Sequence, residues 1–336
     1  MQSKSPSSGP AGVRDRLDSA PEVAAAMAEG RPVVALESTL ISHGLPYPQN
    51  VAVARAAEAA VRESGAVPAT VAIRDGRILV GLSEEQLLTL GTATGVMKAA
   101  RPSLSLALAR EGWAATTVSA TMIAAAAAGI HVFATGGIGG VHRGAVGSAV
   151  GASPADSAAT RHGLLDISSD LEELARTPVA VICAGPKAIL DVPATLEYLE
   201  TRGVPVVSIG TDQVPGFWSR ESGLAAPASV ADVAAAARLV ATHFSLGLGS
   251  GLLLCVPVPE LDAYPLADTQ AAVARALADA AANRIEGPAL TPWLLARIAE
   301  LTAGASIRAN VALIVNNATV AGRIAAQLAR AAETTP

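Results

Sequence analysis

The sequence is poor in cysteine and aromatic residues and has no run of basic residues, and each shortage removes a class of function. Two cysteines, Cys183 and Cys255, cannot build a disulfide framework, and they lack the spacing of a zinc site. Cys183 sits in the apolar run 179–183, where a thiol behaves as a small hydrophobe. With no cluster of Lys or Arg and a net charge of -5, the chain offers no electrostatic footprint for nucleic acid or an anionic membrane. Any phosphate must be held by local groups. The Ser/Pro/Gly-rich start has no apolar stretch after Lys4, unlike a secretory signal, and residues 1–20 read as a disordered tail. The most apolar helical segment, 120–129, is about half the length that spans a bilayer. These absences predict a cytoplasmic protein with neither nucleic acid nor membrane as partner.

What is present is apolar and small. Hydrophobic residues make up 51% of the chain and aromatics only 3%, so Ala, Val and Leu must fill the core. Short apolar runs at 32–36, 69–73, 77–80, 131–134, 179–184, 204–209 and 252–257 alternate with alanine-rich helical stretches, the pattern of an α/β protein. Several runs are continuous rather than alternating, which predicts a sheet covered on both faces. The expectation is a single-domain α/β/α sandwich around a largely buried mixed sheet. It covers residues 21–332, with a flexible insertion at about 146–163 where the sequence is small and weakly polar.

Helices are expected at 50–64, 117–128, 187–202, 230–244, 293–302 and 307–331. Ser229 with Asp232 resembles a capping box, and Thr291–Pro292 resembles a cap followed by a first-turn proline.

Four segments could carry chemistry. In 134–145, ATGGIGGVHRGA, four glycines leave a strand end beside Thr135, His142 and Arg143. Such glycines permit positive φ and let backbone N–H groups approach an anion, although a tight turn without ligand reads equally simply. The spacing is not that of a dinucleotide fingerprint. In 166–170, DISSD, Asp166 and Asp170 flank Ser168 and Ser169. The set suits a hard divalent cation, or alternatively a helix N-terminus capped by Ser169 or Asp170. Lys187 follows a buried strand and a Gly–Pro turn, where α/β enzymes place ligands; partial burial would make its amine a Schiff-base nucleophile. Glu37 ends another apolar strand, and apolar walls there would suit a proton donor. Lys98 and Asn310 are weaker candidates, for phosphate binding and for lining a site. The Arg220–Gly223 cluster after Phe217 and Trp218 reads as a lid or subunit contact.

Taken in order, VALESTLISHGLPYPQN, TTVSATM, FATGGIGGVHRGA, the DIS…DLEELARTPVAVICAG…K stretch, LEYLETRGVPV, SRESGL and TPWLLARIAELT resemble the signature segments of the pseudouridine-5'-phosphate glycosidases, also called the indigoidine-synthase-A-like family. The resemblance runs from about Pro32 to Leu328. It implies reversible exchange of pseudouridine 5'-phosphate and water for uracil and ribose 5-phosphate, with Lys187 as nucleophile and Glu37 as proton donor. It also implies Mn²⁺ on Asp166, and substrate contacts at Lys98, Val118, Thr135, His142, Ser168, Ser169, Asp170 and, less directly, Asn310. A homotrimer is implied too. A C-glycosynthase joining ribose 5-phosphate to an aromatic acceptor is the alternative, and an inactive sugar-phosphate binder a third reading. The chain departs from the family pattern at Val146, where a glutamate is usual, in AARPSLS after Lys98, and at Val256, where asparagine is usual.

Overall fold

The computed structural model describes residues 11–143, 166–285 and 290–333. The expected insertion at 146–163, with Val146, lies outside the described residues.

Strands Val33–Leu36, Val132–Ala134, Ala180–Cys183, Leu252–Cys255 and Val206–Ile209 are buried along their whole length. They lie side by side in that order and run parallel, with Ala228–Val230 on the far edge. On the other side of Val33–Leu36 comes Val67–Arg74, which pairs with it in parallel and then antiparallel with Arg77–Val80 and Trp113–Thr116. The sheet is mixed, as expected.

Alternation along each strand splits the core in two. Val34, Leu36, Ala180, Ile182, Leu252 and Leu254 face helices Gln49–Glu63, Val233–Ser245 and the long Ala305–Glu333. Val33, Ala35, Val181, Cys183, Leu253 and Cys255 face Val118–Ala128, Ser169–Leu174 and Val192–Thr201. Burial on both faces is what continuous apolar strands require. Small side chains let helices approach closely. Gly322 of Ala305–Glu333 meets Ser64 where a Cβ would fall 2.6 Å from the serine Cβ.

Several elements differ from expectation, for identifiable reasons. Residues 11–19, assigned to the tail by composition, form helix Ala11–Arg14 and strand Leu17–Ser19. The strand adds to the sheet edge by pairing with Ile78–Val80, and Arg77 clamps the Asp18 carboxylate and the Leu17 carbonyl. Backbone pairing orders a segment whose side chains give no apolar signal.

The helix expected at 187–202 is only Val192–Thr201, capped by Asp191, whose Oδ1 accepts from Ala194 N at 3.1 Å. Asp232, not Ser229, caps Val233–Ser245, because Ser229 belongs to the edge strand. The penultimate helix starts at Leu290, so Thr291 and Pro292 lie inside its first turn.

Candidate active site

The chain leaves Val33–Leu36 for Val67–Arg74 on one side, and later returns to Val132–Ala134 on the other. The intervening helices, Gln49–Glu63 and Val118–Ala128, pack on opposite faces. This is a topological switch point, where connections diverge and leave a crevice beyond the strands' carboxyl ends. The residues immediately past those ends are Glu37 and Thr135. Thr135 donates its hydroxyl to Glu37 Oε1, and Thr39 donates to Oε2, so the carboxylate is fixed from two sides.

A cavity of about 800 Å³ opens over this point. Glu37, Lys98, Thr135, Lys187 and Asn310 all line it, bringing together five of the residues singled out in the sequence. Asn310 stands inside Ala305–Glu333, one turn past its start, and lines the cavity.

Three N–H groups of the glycine turn have protein acceptors: Ile138 N donates to Gly185 O, Gly139 N to Asp170 Oδ2, and Val141 N to Thr195 Oγ1, while Gly136 and Gly137 line the cavity. None of its four glycines has positive φ. They are glycines because neighbours sit where a Cβ would go, 2.4 Å from the Phe217 ring at Gly137 and 2.3 Å from Ser168 Oγ at Gly139. Close approach lets the turn grip the lysine loop, with Lys187 N donating back to Ile138 O at 3.2 Å. Lys187 is therefore held in the loop before any helix begins, at the start of a turn in which Leu190 N donates to its carbonyl at 3.0 Å.

Asp170 is buried at a second junction. Its Oδ1 accepts from Ser119 N at the start of Val118–Ala128, a favourable place for a carboxylate, and its Oδ2 takes Gly139 N, each at 3.0 Å. Ser168, not Ser169 or Asp170, caps Ser169–Leu174. Val118 is buried at the first position of its helix, and Ser169 Oγ lies 3.2 Å from Ser119 Oγ. Val118, His142, Ser168, Ser169 and Asp170 do not line the cavity. Asp170 and Ser168 are instead tied to the glycine turn, through Gly139 N and Gly140 O, and His142 N donates to Asp166 O. Burial pushes the Lys98 ammonium below its ordinary value, the Lys187 charge adds to this, and the Glu37 and Asp170 carboxylates oppose it.

His43, which also lines the cavity, is held below its usual range, chiefly by burial and then by the Lys98 charge. Asp166 is half-exposed, with Oδ2 3.9 Å from His142 Nδ1. No group of three or more His, Cys, Asp or Glu converges among the described residues. One exposed carboxylate fits a hard divalent ion that keeps most of its waters, and fits no all-protein cage.

Other contributors carried no sequence signal. Asn317 Nδ2 donates to the carbonyls of Thr135 and Gly136, fixing the turn from the helix behind it. Arg101, the arginine left in AARPSLS, grips the fully buried Glu173 with both Nε and Nη2. In the Arg220–Gly223 cluster, Arg220 Nη1 donates to Val258 O at 2.8 Å, and Glu221 O accepts from Ser219 Oγ at 2.9 Å.

A switch-point crevice with a braced carboxylate and a loop-held lysine defines an α/β enzyme-type site, and comparison with known proteins agrees. Residues 22–327 match the family described as "Indigoidine synthase A like protein", and the chain belongs to that family. A pseudouridine-5'-phosphate glycosidase of Methylobacterium nodulans is 53% identical over 320 residues, 95% of this chain and 90% of its own length. One from Caldanaerobacter subterraneus subsp. tengcongensis is 52% identical over 312 residues, 93% of this chain and 96% of its own. Among solved structures, the prealnumycin C-glycosynthase AlnA, in complex with ribulose 5-phosphate, superposes with a TM-score of 0.82 at 37% identity, covering 95% of this chain and 99% of AlnA. An indigoidine synthase A-like protein of Thermotoga maritima gives 0.79 at 33%, covering 94% of this chain and 97% of that protein.

Proposed function

We propose that the chain cleaves and re-forms the carbon–carbon glycosidic bond of pseudouridine 5'-phosphate, exchanging it and water for uracil and ribose 5-phosphate. The observation that carries this reading is the convergence of Glu37, Lys187 and Lys98 on one cavity at the switch point, in a chain about half identical to glycosidases of that name.

A carbon-linked base has no leaving oxygen to protonate, so the two-carboxylate strategy of ordinary glycosidases does not serve. In the proposed path the Lys187 amine attacks C1', and the ring C1'–O bond breaks as Glu37 delivers a proton to the ring oxygen. Glu37 then takes a proton from the new ammonium, and the C1'–C5 bond breaks: the freed nitrogen lone pair forms the C1'=N iminium while the bonding pair stays on uracil C5 and takes that proton from Glu37. Water hydrolyses the iminium, releasing the sugar aldehyde and the free amine. Lys98 holds the phosphate, with Ser168, Ser169 and His142 beside it. Asp166 would hold Mn²⁺ within a shell of water, and the ion would supply positive charge against the phosphate. The active form would be a cytoplasmic homotrimer.

The test is uracil release from pseudouridine 5'-phosphate, followed by chromatography with and without Mn²⁺. Release that depends on the ion is expected, and no release under any condition contradicts the reading. One observation keeps a C-glycosynthase as the second reading: Leu40, Leu45, Leu295 and Ile314 give the cavity apolar walls suited to a larger flat acceptor. Preferential coupling of ribose 5-phosphate to a polycyclic aromatic acceptor over uracil would favour it.

A further inference from the structure

Asn317 is fully buried in Ala305–Glu333 and does not line the cavity, yet it lies on the helix face that does. Ile307, Asn310 and Ile314 of that face line it, and position 317 follows at the same three- and four-residue spacing. There its Nδ2 donates to Thr135 O at 2.9 Å and to Gly136 O at 3.3 Å. Carbonyl oxygens can only accept, so the amide must face them with its nitrogen. Its Oδ1 is buried and has no hydrogen-bond partner among the described residues. An apolar side chain of similar size would escape that cost, so packing alone does not account for an amide here.

Those bonds reach Glu37 in two steps. Asn317 holds the Thr135 carbonyl, and the Thr135 hydroxyl donates to Glu37 Oε1. From the sheet side, Thr135 N donates to Ile182 O at 3.0 Å and Ala184 N donates to Gly136 O at 2.9 Å. Asn317 supplies the grip from the helix side, so the Thr135–Gly136 peptide is clamped between sheet and helix. Threonine is stiff at χ1, and fixing its backbone therefore narrows where Oγ1 can sit. The neighbouring Asn316 serves a different place: its Nδ2 donates to the carbonyl of Pro257, which does not line the cavity.

We propose that Asn317 is a positioning residue for Glu37: by fixing Thr135 through its carbonyl, it sets the orientation in which the carboxyl exchanges protons with the substrate. This rests on the glycosidase reading, in which Glu37 moves the protons, and extends it to a residue outside the cavity lining.

The test is N317D, which keeps the shape and turns an acceptor toward two carbonyls. N317A is run beside it, because a carboxylate at a fully buried position costs the fold stability. In uracil release from pseudouridine 5'-phosphate, the kcat of both variants should fall roughly ten- to a hundredfold, the scale of a reacting group displaced by about 1 Å, while KM stays within about twofold. N316A should keep the wild-type kcat. T135V removes the hydroxyl through which Asn317 acts, so N317A should slow T135V far less than it slows the wild type. An equal factor in both backgrounds overturns the assignment, as does a wild-type kcat in folded N317A, with or without a raised KM. Unfolding of both Asn317 variants under conditions where T135V stays folded makes Asn317 structural only and overturns it too. A wild type that releases no uracil overturns the glycosidase reading, and this assignment with it.

Discussion

Glu37 and Glu58 are both carboxylates near the cavity, and their surroundings separate them. Glu37 is oriented by two threonine hydroxyls at the switch point. Glu58 accepts one bond from Thr70, a cavity-lining residue, but burial dominates and raises its carboxyl above the ordinary 4.5. The folded protein therefore keeps the Glu58 proton to a higher pH than the unfolded chain does. Stability from this site is full below the unfolded pKa and falls as pH rises through the folded one. Glu58→Gln removes the titration, so its Tm should fall less than that of the wild type as pH rises from 4.5 toward neutrality. Parallel Tm–pH curves would show that Glu58 does not carry this dependence. Glu37 and Lys187 were legible in the sequence because each is a reactive side chain just beyond an apolar strand. Asn317 was not: its partner Thr135 lies 182 positions away, and a single asparagine in an apolar helix has no periodicity to betray it.

At the scale of elements, the glycine turn was legible as a turn but not as a joint. Composition shows that Gly136, Gly137, Gly139 and Gly140 lack side chains; only the fold shows Ser168, Thr195, Phe217 and Ile314 occupying the space. Gly139→Ala isolates this, because its Cβ would lie 2.3 Å from Ser168 Oγ and 2.9 Å from Asp170 Oδ2. The helix cap and the Asp170 bond to Gly139 N must then both shift, and the expected loss is roughly 1–3 kcal/mol. Denaturant unfolding measures it, and a variant within ~0.5 kcal/mol of wild type would mean the joint yields freely. The edge strand Leu17–Ser19 was hidden for a related reason. Its order comes from backbone pairing and the Arg77 clamp, and its own side chains carry no pattern. The helix start at Val192 rather than 187 has the same origin, since the Pro186–Lys187 segment pairs with Ile138 instead of coiling.

On the scale of the whole molecule, the sheet topology decides where chemistry can happen. Continuous apolar strands announced a doubly covered sheet, and strand order, which no local pattern encodes, placed its switch point between Leu36 and Ala134. Glu37 and Thr135, 98 positions apart in the chain, meet there, and the paired loops bring Lys187 alongside. The central claim is that this lysine forms a covalent adduct with the sugar. Incubation with pseudouridine 5'-phosphate and borohydride, followed by peptide mass spectrometry, tests it most directly. The account predicts uracil release, loss of activity, and a reduced sugar-phosphate adduct on the peptide carrying Lys187, absent from a folded Lys187→Ala variant that also fails to turn over. Uracil released at a normal rate by Lys187→Ala, or an adduct mapped to another residue, would contradict it.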